Sequence, residues 1–223
     1  MDRTRKSQAF EDTGQPKGRA RVMSVLAVAA VAFASHNAIA AELRLPAATT
    51  AEILLDGKIE GPEWSSAERL NLGSGVTVYA LADSEFVALA AHSSGLRYAD
   101  IFLARSDGKI LNLHASMQTG ERLLVGGNWT DTEPSWQWGN NTMWRASTVR
   151  RRDGVGNDEP FLKQMLPFDG QEFLLDRKMV KGDIFIRIEV RDFTGEKPDV
   201  VHPESSSRFD SNGWLRLILP SPK

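Results

Sequence analysis

The chain has 223 residues, with 27 Lys and Arg against 29 Asp and Glu, and no cysteine. Lack of cysteine excludes disulfide frameworks, thiolate nucleophiles, iron–sulfur clusters and cysteine-bound zinc. A 41% apolar composition without blocks of like charge argues against disorder, and residues 41–223, with 21 basic and 26 acidic side chains, lack the basic stripe that nucleic-acid binding needs.

Residues 25–34 read VLAVAAVAFA, preceded by Lys17, Arg19 and Arg21 and followed by Ala38-Ile39-Ala40. A basic flank, a short apolar run and small residues before a cut predict a secretory signal peptide over 1–40. The run falls short of the roughly 20 apolar residues of a membrane span, so no span is expected after cleavage. A periplasmic or secreted bacterial protein is expected, with the route of the general secretory type because no Arg-Arg pair precedes the run.

Residues 41–50 read as a short linker. Ile53-Leu54-Leu55 then ends at Asp56-Gly57, a strong turn dipeptide. Trp64 to Leu70 is the one stretch suggesting a short helix. Val76–Leu81 and Phe86–Ala91 flank Asp83-Ser84-Glu85 and predict a hairpin, as do Ile101–Leu103 and Ile110–Leu113 around Ser106-Asp107-Gly108-Lys109. Residues 126–160, rich in Gly, Asn, Asp, Trp and Arg, lack periodicity and read as a functional loop system. Glu172–Leu175 and Ile184–Val190 follow as strands. The latter sets Ile184, Ile186, Ile188 and Val190 against Phe185, Arg187, Glu189 and Arg191. A last strand spans Trp214–Leu219, and Pro220 stops it. Short strands with turn chemistry between them predict an all-β antiparallel sandwich over 51–223, with at most one or two short helices.

The opening Asp56-Gly57…Trp64, with Ala67 after it, resembles the start of the family 9 carbohydrate-binding-like domains, which belong with the DOMON-like sandwiches. The hairpin around Asp83, the strand Asp100–Leu103, Phe168-Asp169-Gly170-Gln171-Glu172 and the closing Gly213-Trp214-Leu215 are similar to later strands of that family. The likeness runs from about residue 52 to 219. Leu174-Leu175-Asp176 departs from the family's Ile-Pro continuation, and the Trp-rich stretch has no counterpart. The resemblance implies a non-catalytic module that binds a glycan or oligosaccharide, as in carbohydrate catabolism.

Trp129, Trp136, Trp138 and Trp144 fall within 16 residues, among amides that include Asn140. Indole faces stack on the C–H faces of sugar rings while polar neighbours bond the hydroxyls, so these five, with Glu172 and Arg187, are the expected sugar-binding residues. An ordinary core role for some of the indoles, and a plain solvated face for Arg187 and Glu189, are the competing readings. Two alternatives stay open. One is a DOMON-like domain carrying haem b in electron transfer, for which His114 and Met143 are candidate ligands; the other is an interaction or assembly module of the cell envelope. No obligatory cofactor is expected, although Asn157-Asp158-Glu159 offers oxygens to calcium. Absence of a nucleophile elbow, His-Glu-x-x-His, P-loop or dinucleotide fingerprint points away from catalysis.

Overall fold

In the first hairpin, Asp83 does more than turn the chain. One carboxylate oxygen accepts the N–H groups of Glu85 (2.7 Å) and Phe86 (2.8 Å), and the other accepts the N–H (2.9 Å) and the hydroxyl of Thr50. Burial pushes the pKa of this carboxyl up, but these hydrogen bonds outweigh it and hold the pKa below the ordinary value. The computed structural model describes residues 41–48, 50, 53–59, 61–105, 107–129, 136–139, 143–179, 182 and 184–221. The expected signal peptide lies outside them.

The described strands follow as β1 (Glu42–Arg44), β2 (Glu68–Gly73), β3 (Val76–Ala82), β4 (Phe86–Ser93), β5 (Arg97–Ala104), β6 (Ile110–Ala115) and β7 (Thr119–Val125). Then come β8 (Asn128–Trp129), β9 (Gln137–Trp138), β10 (Trp144–Ala146), β11 (Gly170–Asp176), β12 (Ile184–Asp192), β13 (Val200–His202) and β14 (Leu215–Ile218). A nine-stranded sheet runs β1-β14-β12-β5-β6-β7-β8, with β13 also pairing β12 and β9 also pairing β7. A five-stranded sheet runs β10-β11-β4-β3-β2. Every pairing of these strands is antiparallel except β1 with β14. The β-sandwich read from the turn chemistry is the observed architecture, and both predicted hairpins form.

The sheets pack face to face through a core that includes Val78, Leu89, Ile101, Leu113, Phe173, Ile186, Ile188 and Leu217. The isoleucine face of β12 lies here, as its alternation requires. Two smaller apolar clusters cover the outer faces. Ile53, Ile59 and Trp64 lie over Leu81, Ala88, Ala90 and Leu174 of the five-stranded sheet. On the nine-stranded sheet, Phe102, Ile110, Leu124 and Trp214 form the third cluster.

Four local expectations change. Residues 41–50 are no free linker: β1 pairs with β14, and Leu43 and Leu45 are buried in the main core. Ile53–Leu55 pairs in neither sheet and instead straps the outer face of the five-stranded sheet. The expected helix at Trp64–Leu70 is a single 3-10 turn, Pro62–Trp64. Beyond it, Leu70 and Leu72 alternate with exposed Arg69 and Asn71, a period-two pattern that β2 uses to pack both leucines on the core. The stretch 126–160 is not all loop, because β8, β9 and β10 lie within it; strands of two or three residues are too short to leave a periodicity.

Candidate functional site

Strands β12, β5, β6 and β7 present their alternate residues to the outside of the nine-stranded sheet, and the pairing register lines these up in rows. One row runs Glu189, Asp100, His114, Gly120 and Trp138; the next runs Arg187, Phe102, Asn112 and Arg122. Acid, amide, imidazole and guanidinium groups thus share one face that the strand pattern alone would leave plain.

Much of the floor of this face is hydrogen-bonded, while Nε of Arg191 has only an ion-pair contact to Asp199 at 3.8 Å. Glu189 is 1% exposed and accepts from Arg187 and Arg191, while Nη2 of Arg208 bonds both of its oxygens at 2.9 Å. Burial pushes the Glu189 pKa up, yet the bonds from Arg187 and Arg191 prevail and hold it below the usual carboxylate value. Nε of Arg187 donates to the carbonyl and hydroxyl of Ser206, each at 3.1 Å. Asp100 accepts from Asn112 Nδ2 (3.3 Å) and meets His114 Nδ1 (3.0 Å), and His114 Nε2 meets the Ser116 hydroxyl at 2.8 Å. Asn112 Oδ1 accepts from Arg122 Nε at 2.9 Å.

Above the floor stand the indoles. The Arg122 guanidinium lies 4.4 Å from the ring centres of both Trp129 and Trp136, wedged between them. Trp136 and Trp138 are 5.5 Å apart at an interplanar angle of 32°, and His114 is 5.3 Å from the first and 5.8 Å from the second. Trp138 stays 41% exposed. It lies flat on the sheet because β7 has a glycine beneath it: a Cβ on Gly120 would stand 2.6 Å from Cε3 of Trp138. Gly120→Val is therefore expected to lift Trp138 off the sheet while leaving the sandwich folded, read as a changed tryptophan emission maximum with an unchanged far-ultraviolet dichroism spectrum.

The expected sugar-binding residues divide. Trp136 and Trp138 come together beside Arg122. Trp129 stands across Arg122 from them and also packs on Phe102 (5.9 Å) and Phe209 (6.1 Å). Arg187 is on the same face but beneath it, with its Nε and Nη1 donors engaged. Trp144 belongs to the core: it is 2% exposed, stacks on Phe173 at 6.1 Å, and donates its indole N–H to Glu121 at 2.6 Å. Asn140 lies outside the described residues.

Glu172 is a correction. It is fully buried on the outer face of the other sheet, under the strap, and accepts from the N–H of Gly57 (2.7 Å) and the indole N–H of Trp64 (3.1 Å). Its side chain is closed off from solvent there. The Asp-Gly…Trp opening and the late Glu are thus two halves of one latch, and Phe168 lies against Gly57 so closely that a Cβ there would stand 2.3 Å away.

His114 and Met143 do not meet. His114 is on the outer face, whereas Met143 lines a cleft of about 240 Å³ with Leu111, Leu123, Trp144 and Met179, which Glu121, Arg122 and Gln137 also border. Both ring nitrogens of His114 have polar partners in the protein. Asn157 Oδ1 accepts from Arg151, and among the described residues no three His, Asp or Glu side chains cluster as metal ligands. No described helix is long and apolar enough to cross a membrane.

Sequence reading missed Asp100, Asn112, Ser116, Arg122, Arg191 and Arg208. The signal for Asp100, Asn112 and Arg122 lay in register: once the β5–β6–β7 meander is aligned about its turns, they fall on the same face.

No protein-family model matches the sequence, and no curated protein matches it. Among solved structures the chain is similar to a carbohydrate-binding module of family 9 from Caldicellulosiruptor kristjanssonii in complex with cellotriose, with a TM-score of 0.44 and 10% identity over 81% of this chain and 95% of that one.

Proposed function

We propose that this protein is an exported carbohydrate-binding module, working in the periplasm or outside the cell, and that it holds a glycan on the outer face of its nine-stranded sheet. The observation that carries the reading is the Trp136–Trp138 pair, half open to solvent, beside a guanidinium and above a bonded polar floor. An exposed indole supplies an apolar plane for a sugar ring, and the neighbouring Arg122, held from below by Asn112 Oδ1, supplies donors for its hydroxyls. The residues assigned to the ligand are Trp136, Trp138 and Arg122, with Trp129 at the edge; Glu172 and Trp144 leave the set. Arg187 supports the floor from beneath.

Titrating tryptophan emission of the mature protein with a panel of neutral and acidic oligosaccharides tests this. A saturable change with at least one sugar is expected, and Trp138→Ala should weaken it about tenfold or more, which corresponds to roughly 1.4 kcal/mol. A flat response across the panel from folded protein removes the reading. Mass spectrometry of the exported protein is expected to find Ala41 at its N-terminus.

A further inference from the structure

The row through Asp100 and His114 ends in a hydroxyl. Ser116 Oγ is 2.8 Å from His114 Nε2, and His114 Nδ1 is 3.0 Å from Asp100 Oδ1. Acid, imidazole and hydroxyl are joined in the order and through the atoms that activate a serine in acyl transfer: the carboxylate fixes the ring with its proton on Nδ1, which leaves Nε2 to take the hydroxyl proton. The strand geometry builds this relay. Asp100 and His114 are cross-strand partners on β5 and β6, and Ser116, two residues past His114, falls just beyond the end of β6 on the same face.

The surroundings suit the chemistry. Asp100 is buried, with its Oδ1 also held by Asn112 Nδ2, so the carboxylate end is rigid and dry. Ser116 is half-buried at the rim, followed by Met117 at 46% exposure, so the hydroxyl end is reachable. The indoles of Trp136 and Trp138 stand within 6 Å of the imidazole, placing any ring stacked on them next to the serine. No short sequence motif marks the arrangement, because the acid and the base sit on different strands.

We infer that Ser116, His114 and Asp100 form an ester-cleaving site, acting on O-acyl esters, with acylated sugars as the substrate class; that last choice rests on the glycan reading. Ser116 Oγ attacks the ester carbonyl carbon as its proton passes to His114 Nε2. The carbon–oxygen bond to the alcohol then breaks, the alcohol leaves with that proton, and the acyl group stays on Ser116. Water repeats the sequence: it loses a proton to Nε2, attacks the acyl carbon, and releases the carboxylic acid as Ser116 regains its proton. Ser116 and His114 are the catalytic residues, and Asp100 is a positioning residue.

The test needs no sugar. The mature protein is given p-nitrophenyl acetate and, separately, a fluorophosphonate probe with mapping of the modified residue. The wild type is expected to release p-nitrophenol above buffer and to carry the label on Ser116. Ser116→Ala and His114→Gln should each lower the rate by about 100-fold or more, and Asp100→Asn should lower kcat with KM unchanged. A wild-type rate equal to buffer, or a label on Ser116 undiminished in His114→Gln, overturns the inference. If esters are cleaved but the glycan panel is flat, the relay stands and only the sugar assignment falls; binding without labelling gives the reverse.

Discussion

Replacing Glu189 with alanine is expected to lower the stability of the sandwich by roughly 3–5 kcal/mol, the range for leaving buried charge without its partner. One carboxylate, 1% exposed, accepts from three guanidinium groups brought by β12 and by the loop that carries Arg208. Without it Arg187, itself 6% exposed, is left with a positive charge among β-strands and the Phe102 ring 5.1 Å away. Glu189→Gln keeps the shape and one acceptor and should cost less. Urea titration at neutral pH, followed by dichroism, separates the two; equal losses would mean that the charge is not what the arginines need. The pKa of Glu189 is lowered, so its stabilisation is present above the ordinary carboxylate range and is lost as pH falls through the folded value.

Glu172 gives a pH dependence of the opposite sign. Burial raises its pKa to about 7, against the bonds from Gly57 and Trp64 that work to lower it; Asp56 and Glu63 add to the rise. The ordinary value is 4.5, so below that pH both the folded and unfolded chains hold the proton. Between there and about 7 the unfolded chain releases it while the folded chain retains it. Stability is therefore expected to fall across this window as pH rises, by about 3 kcal/mol in all, since each tenfold difference in proton affinity between the two states is worth about 1.4 kcal/mol. Glu172→Gln should flatten this slope and cost about 1–2 kcal/mol at the acid end, because its amide N–H faces the Trp64 N–H. Denaturant midpoints of both proteins at several pH values between about 4 and 8 check the sign; a wild-type slope that survives in the variant would place its origin elsewhere.

The same residue marks where sequence reading reached its limit. Glu172 lies two residues past a Gly and opens the apolar run Phe173-Leu174-Leu175, and its place in β11, two residues before Leu174, puts it on an outer face. Whether an outer face is wet depends on what crosses it, and the covering chain is 108 residues away at Trp64. Hairpins were legible because Asp83 and Asp107 bond main-chain groups within three residues of themselves. The four clustered tryptophans were legible as an anomaly but not as a site. Trp144 faces Phe173 in the core because β10 pairs with β11, whereas Trp138 faces outward because β9 pairs with β7. Nothing local to either indole differs enough to separate them. The serine relay was hidden for the same reason, since Asp100 and His114 are neighbours only across two strands.

The parallel pairing of β1 with β14 has a consequence for how the chain matures. Among the described strands, Glu42–Arg44 pairs only with the last: Ala41 O accepts from Arg216 N, Leu45 N donates to Ile218 O, and Glu42 pairs with Arg216 at 2.6 Å. This early strand must wait for the last one, 174 residues later, before its edge is satisfied. Closure of such a distant loop comes late in folding. A ribosome that stalls ahead of Leu215, or a protease that trims the tail, strips both strands from the sheet in one event. It leaves residues 184–186 of β12 bare and ready to pair with another chain, while β13 still covers residues 188–190.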